Sequence, residues 1–381
     1  MRASTCRRVL LAVFLGLVVL VAASARVRRG MVDFEVYDRA GQRIETAQPL
    51  YQPADGHYMF KYLPASAILF VPLAHLPIEV AKTTWFAVSL LALAWSFALV
   101  GQLVAPPHRR HLLLISGVVL AKYFVHELRL GQINIVVTAV MLLALRALAR
   151  DDEERGGAAA GALAGIATAM KPYAAVFAPY FVLRRQWGAL AAALGALAVA
   201  VMLPMIFYGA AGNMQLLRAW VATLSQSTPA LLTNNDNVSV LAFFTKWLGD
   251  PARALIPALV TLGALALLMV AVILRGGHRR RHAVLEGAML LTLIPLASPM
   301  GWDYTFLMSL LAVALVVNAF ATFPKAAQAI LGLNFVVIAT AIFDLMGRHA
   351  YATFMQWSVT TVNFGIIVLA LAYLRFRTGD L

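Results

Sequence analysis

Asp33 and Tyr37 stand four residues apart, the spacing that puts two side chains on one face of a helix. A carboxylate beside a phenol can take a proton from a hydroxyl, which is general-base chemistry. An aspartate near the start of a helix can equally serve as its N-cap, and spacing alone leaves both readings open. Glu35 and Asp38 fall elsewhere on the same helix and are expected in solvent. Further on, Lys61 sits among aromatic residues in Tyr58-Met59-Phe60-Lys61-Tyr62-Leu63-Pro64. Such a lysine reaches a phosphate at headgroup level or snorkels beside an aromatic belt.

Later segments place similar groups between long apolar runs. Lys122 and His126 are one helical turn apart, and Arg129 precedes a break at Gly131-Gln132 before Asn134. Polar groups at that depth line a cavity or cap two helix ends. Lys171-Pro172-Tyr173 again sets one lysine before a proline that ends a helix. Asn234-Asn235-Asp236-Asn237-Val238-Ser239 is dense in amides. These suit sugar hydroxyls, which need paired donors and acceptors, or an ordinary turn-rich loop. In Ser298-Pro299-Met300-Gly301-Trp302-Asp303, Trp302 is placed to stack on a sugar or an isoprenoid, or to anchor at an interface. The sequence has no Gly-rich phosphate loop, no HExxH, no Asp-x-Asp pair and no Cys/His cluster. Its single cysteine, Cys6, excludes a disulfide framework. No metal site and no cofactor are expected, so any reaction draws on a preactivated lipid-soluble donor or on a gradient.

The elements that must position these residues follow from composition. The 381 residues are 62% hydrophobic and 13% charged, with a mean hydropathy of +0.80. A soluble domain is about a quarter charged, so the chain reads as an all-α polytopic membrane protein, one integral-membrane domain over residues 1–381. Uninterrupted apolar runs exclude the alternating pattern of a transmembrane barrel. Val9 to Ala25 is read as a retained first helix rather than a signal peptide cleaved after Ala23-Ser24-Ala25. Further runs lie at 80–104, 112–128, 133–149, 157–170, 172–183, 188–210, 252–274, 283–297, 303–323, 327–344 and 357–375. Together they predict about twelve crossings, within a range of roughly 11–13. Residues 26–79 form a first extracytoplasmic loop with an amphipathic helix around Asp33–Ala40. Its proline-bounded piece 64–77 is too short to cross and is expected to be interfacial or re-entrant. Residues 211–251 form a second large extracytoplasmic loop.

The formal net charge is +14. Arg2, Arg7 and Arg8, then His108 to His111, Arg150 to Arg155, Arg184-Arg185, Arg275 to His282, Arg375 and Arg377 all fall on one side in that register. The positive-inside rule then puts both termini in the cytoplasm of a bacterial inner membrane, and the polar constellations on the outer face. No basic stripe is interleaved with aromatics, so no nucleic-acid partner is expected.

Taken in order, Asp33-Phe34-x-Val36-Tyr37-x-x-Ala40, Leu50-Tyr51, Phe60-Lys61-Tyr62-x-Pro64 with Pro72-Leu73, Gly131-Gln132-x-Asn134, Lys171-Pro172, Asn237-x-Ser239 and Ser298-Pro299-x-x-Trp302-Asp303 resemble glycosyltransferase family 87. That family belongs to the C-type integral-membrane glycosyltransferases. The resemblance implies a C-type architecture and an inverting transfer of a sugar, often mannose, from a polyprenyl-phosphate donor. The acceptor is a lipid- or glycan-linked hydroxyl on the periplasmic side. Asp33 becomes the general base. Lys61, His126, Arg129 and Lys171 become candidates for holding the donor phosphate. Tyr37, Tyr62, Gln132, Asn134, Asn237, Trp302 and Asp303 become candidates for lining the substrates, with membrane lipids as the remaining partner. Histidines commonly follow the tryptophan–acid pair in the family, where this chain has Tyr304 and Thr305, so the phosphate falls to other cations. The alternative reading is a transporter or flippase of a lipid-linked sugar. The sequence shows no inverted repeat of the kind transporters carry.

Overall fold

The computed structural model describes residues 30–104, 109–149, 153–227, 231–275 and 280–377. The first apolar run, Val9 to Ala25, lies outside them. Among the described residues every regular element is helical, and the one extended contact is an isolated antiparallel bridge between Asn237 and Trp302.

Helix α1 (Val32–Glu45) is the amphipathic helix expected around Asp33–Ala40, carried on by a further turn. Phe34, Tyr37, Ala40, Gly41 and Ile44 form its buried stripe, the 3.6-residue period of a single face. Gly41 lies so close to Phe70 that a Cβ would meet its carbonyl carbon at 2.9 Å. That approach seats α2 (Pro64–Ile68) and α3 (Val71–Ala74) on α1. These two short helices fill the proline-bounded piece, and neither crosses, since a helix of this length rises only about 6–8 Å.

There follow α4 (Ile78–Val104), α5 (Arg109–Leu130), α6 (Asn134–Leu148), α7 (Glu153–Met170), α8 (Phe177–Leu183), α9 (Trp187–Met202) and α10 (Met205–Ser227). Then come α11 (Val240–Leu248), α12 (Pro251–Leu274), α13 (Arg280–Ala297), α14 (Leu310–Asn318), α15 (Lys325–Thr340), α16 (Phe343–Gln356) and α17 (Val359–Arg377). Four of these, α4, α5, α12 and α17, are long and apolar enough to cross a membrane. The number is six if the bent pairs α9–α10 (95°) and α15–α16 (103°) each count as one span. Among the described residues the chain is therefore all-helical, a membrane protein with four to six candidate spans by length and composition. Several predicted crossings are shorter apolar helices. The 15 residues of α6 rise about 22 Å, less than a hydrocarbon core of about 30 Å.

Two boundaries differ from expectation. The run 188–210 breaks at Leu203-Pro204, where proline has no N–H to continue the ladder, and the chain turns into α10 through residues expected as loop. The stretch between 344 and 357, also expected as loop, is helix α16. Away from these breaks, Phe306 stacks on Phe364 with centroids 3.6 Å apart. That contact fixes the 3-10 segment Asp303–Ser309 to α17. Arg184 and Arg375, from two of the basic stretches, meet Glu286 of α13 in one buried cluster. Glu286 accepts from Arg184 Nε at 2.9 Å and from Arg375 Nε at 3.2 Å.

Candidate active site

Met31 opens α1 in the left-handed conformation, φ 61°, and its N–H donates to the Arg129 carbonyl at 2.8 Å. Met31 is therefore the cap residue, and the capping reading of Asp33 is corrected. The Asp33 carboxylate is free for another partner, and its Oδ2 accepts Gln132 Nε2 at 2.7 Å.

A tight turn presents Gln132. Gly131 has φ +70°, and a Cβ there would meet the Phe34 Cβ at 2.8 Å; only glycine tolerates both. Trp85 Nε1 pins the turn by donating to the Gly131 carbonyl at 2.8 Å. Gln132 Oε1 accepts from the Tyr37 hydroxyl at 2.6 Å and from Lys171 Nζ at 3.1 Å. Lys171 Nζ also lies 4.9 Å from the centre of the Tyr62 ring, a cation–π contact. The Tyr62 hydroxyl is 3.1 Å from that of Tyr37. One amide thus joins a carboxylate to an ammonium.

Asp33, Tyr37 and Gln132 line a cavity of about 240 Å³, together with His57, His126, Asp236, Trp302 and Tyr304. Lys61, Tyr62 and Trp302 also line a second cavity of about 180 Å³, whose wall adds Lys171 and the apolar side chains of Leu224, Leu231, Ile294 and Met300. Burial raises the Asp33 carboxyl above the ordinary aspartate range, against the Gln132 hydrogen bond and the nearby Lys171, His57 and His126. That shift makes it a stronger base for a hydroxyl proton. Burial lowers the Lys61 ammonium, opposed by the attraction of Asp33. Burial and the neighbouring Asp303 raise Asp236.

The remaining expected residues divide. His126 lines the first cavity, with Nδ1 3.4 Å from Asp303 Oδ1 and its ring edge-on to Tyr304 at 5.2 Å. Asp303 itself is buried, lines neither cavity, and faces that imidazole. Asn134 and Asn237 are fully buried and also line neither cavity. Asn134 Nδ2 donates to Glu127 Oε2 at 2.8 Å, and its Oδ1 accepts the Tyr173 hydroxyl. Asn237 Nδ2 donates to the carbonyls of Leu231 (3.1 Å) and Pro299 (2.9 Å), and so braces the loop that carries Asp236. Arg129 is exposed and lines neither cavity; its backbone carbonyl is the part the fold uses. Glu35 pairs with Lys82 at 2.5 Å, and Asp38 is buried rather than solvated, accepting Gln42 Nε2 at 2.9 Å.

Three contributors escaped the sequence reading. Glu127, fully buried, accepts the N–H groups of Asn134 (2.6 Å) and Ile135 (3.3 Å) and so caps α6. The one acid in a helix whose other charged groups are basic was a usable signal. His57 and Tyr304 have no spacing that marks them; they enter the wall through 3-10 segments, Pro53–Tyr58 and Asp303–Ser309.

A sequence model of glycosyltransferase family 87 matches residues 60–299. The chain is 25% identical over 358 residues to a polyprenol-phosphate-mannose-dependent alpha-(1-2)-phosphatidylinositol mannoside mannosyltransferase of Mycobacterium tuberculosis, covering 86% of this chain and 79% of that one. A relative of the same name from Mycolicibacterium smegmatis is 26% identical over an alignment of 393 residues, covering 92% and 86%. No solved structure matches. The family match takes in Lys61, Gln132 and Lys171 and runs over more than half of the sequence: the chain belongs to glycosyltransferase family 87.

Proposed function

We propose that this glycosyltransferase moves a mannosyl group, or another hexose, from a polyprenyl-phosphate donor to a hydroxyl of a glycolipid or glycan. The transfer inverts the anomeric carbon and takes place on the extracytoplasmic face of a bacterial inner membrane. The observation that carries this reading is the Asp33–Gln132–Lys171 line, in which a proton acceptor and a cation share one amide at 2.7 and 3.1 Å. Both relatives, by name, use polyprenol-phosphate mannose, which supports the choice of donor.

In the reaction the acceptor oxygen bonds to the anomeric carbon while Asp33 removes its proton. The bond from that carbon to the phosphate oxygen breaks, and the leaving polyprenyl phosphate keeps the electron pair. Lys61 and Lys171 meet the charge as it grows, and a site poor in water strengthens both contacts. The apolar wall of the second cavity suits the first isoprene units. Direct displacement, with no nucleophile from the enzyme, inverts the stereochemistry. The distribution of short basic loops supports about twelve crossings with both termini inside.

The test uses membranes carrying Asp33→Asn, supplied with polyprenyl-phosphate mannose. Transfer is expected to fall at least about 100-fold, the scale of general-base catalysis, while donor binding persists; undiminished transfer refutes the proposal. For the face, Ala54→Cys in a Cys6→Ser background should react with an impermeant maleimide from outside. Reaction only after permeabilisation would place the site inside.

A further inference from the structure

A third opening of about 500 Å³ lies between the loop 233–236 and α16, which contributes Phe343, Arg348 and Tyr351. It shares Asn234 and Asp236 with the Asp33 cavity, whereas the lysine-lined cavity adjoins through Lys61, Tyr62 and Trp302. Asp33 therefore stands in the middle of three adjoining hollows. One neighbour offers ammonium groups and an apolar wall. The other offers amides, a carboxylate and a guanidinium.

The walls of this third hollow are tied together. Lys246 of α11 donates to the carbonyls of Asn235 (2.9 Å) and Asn237 (2.7 Å) in the loop and of Met355 (3.3 Å) in α16. Trp247 Nε1 donates to the Trp357 carbonyl at 3.0 Å. Within α16 the helix kinks at Gly347, φ 74°, one residue before Arg348. The Arg348 side chain is exposed and makes no ion pair among the described residues. Phe343 shares the wall with it and is exposed, as are Leu345 and Trp357 elsewhere on this segment, apolar surface suited to a lipid bilayer.

We propose that this hollow is the acceptor subsite. Arg348 anchors an anionic group on the acceptor, a phosphodiester or a carboxylate, while Asn234, Asn235 and Asp236 hold sugar hydroxyls between that anchor and Asp33. The inference rests on the glycosyl-transfer reading and deepens it by naming the acceptor's charge and the residue that reads it. The donor phosphate has its cations at Lys61 and Lys171, so Arg348 answers to a second anion. A guanidinium matches a phosphate or carboxylate through two parallel hydrogen bonds, and amides supply the donors and acceptors that sugars need.

Three acceptors test this: neutral octyl mannoside, an anionic phosphatidylinositol mannoside, and its water-soluble deacylated glycerophosphoryl form. Arg348→Gln is expected to lower the anionic-over-neutral ratio of kcat/KM about tenfold for both anionic acceptors, the loss of one charge-assisted contact. Arg348→Lys recovers part of it. An equal effect on all three acceptors, or none, overturns the inference. So does a loss confined to the lipid form, which would assign Arg348 to bilayer headgroups. Binding of the glycerophosphoryl acceptor to the Asp33→Asn protein, read by calorimetry, separates the two proposals. Adding Arg348→Gln should weaken it about tenfold, and unchanged or undetectable parent binding overturns the subsite. Continued sugar transfer by Asp33→Asn would sink the base assignment and leave the binding result standing.

Discussion

Replacing Gln132 by Met probes the line that joins base to cation. The substitution keeps the volume of the side chain and removes both ends of the bridge: the donor 2.7 Å from Asp33 Oδ2 and the acceptor of Lys171 Nζ at 3.1 Å. A hydrogen bond to a charged group contributes about 1.5–3 kcal/mol, which corresponds to roughly 1–2 pKa units. The bond stabilises the ionised carboxylate, so its loss favours the neutral acid and raises a group that burial has already raised. Transfer needs the ionised form and fails as pH falls through that pKa. The acid limb of the kcat/KM profile is therefore expected to move up by about 1–2 pH units, with transfer near the alkaline plateau reduced less. The assay is initial-rate transfer from polyprenyl-phosphate mannose across a pH series, wild type beside variant. An unmoved limb would show that Asp33 is not the titrating base. A downward shift would show that Lys171 swings onto Asp33 once released, so that the amide is a spacer and not a donor holding the carboxylate.

Lys61→Met should raise the KM for the polyprenyl-phosphate donor about tenfold, one lost charge-assisted contact. It should leave the acceptor KM close to wild type; the reverse pattern would put the donor elsewhere. Gly131→Ala should lower both thermal stability and transfer. A left-handed non-glycine residue costs about 1–2 kcal/mol, and the new Cβ would press on Phe34 and Met31 at 2.8 and 2.9 Å, displacing Gln132. Unchanged activity would mean that the turn does not set the amide. Glu286→Gln removes the buried carboxylate that accepts from both Arg184 and Arg375. Removing one partner of such a cluster costs about 3–5 kcal/mol, so the unfolding midpoint in detergent should fall while transfer per folded molecule stays near wild type.

Much of the site was legible because its polar groups are conspicuous against an apolar background. Gln132, Lys171 and Trp302 stand out just past the end of an apolar run, Asp33 and Lys61 among the aromatics of the first polar loop, and the structure brings all five to two adjoining cavities. What sequence could not show is which polar group faces the cavity and which holds up its wall. Asn134 and Gln132 are two residues apart at the same turn. Yet Gln132 lines the cavity, while Asn134, turned the other way, spends its amide on Glu127 and Tyr173. Asp303 and Trp302 are neighbours, and only the tryptophan is exposed to the cavity. A loop has no fixed period, so the rule that assigns faces along a helix has no hold there.

The same limit applies to the course of the helices. Apolar composition marks a segment as membrane-compatible without saying whether it runs straight, and α9–α10 and α15–α16 bend by 95° and 103° within stretches that hydropathy alone does not break. These bends matter to the chemistry. The second carries α16 back to the Asp236 loop, where Lys246 fastens the two together. The first carries α10 to the aromatic segment 58–62, where Trp220 Nε1 donates to the Lys61 carbonyl at 3.2 Å. Each bend thus adds a tie to a segment that lines the cavities. The broken helices supply rigid walls for a cavity whose polar residues come from at least five separate segments of the chain.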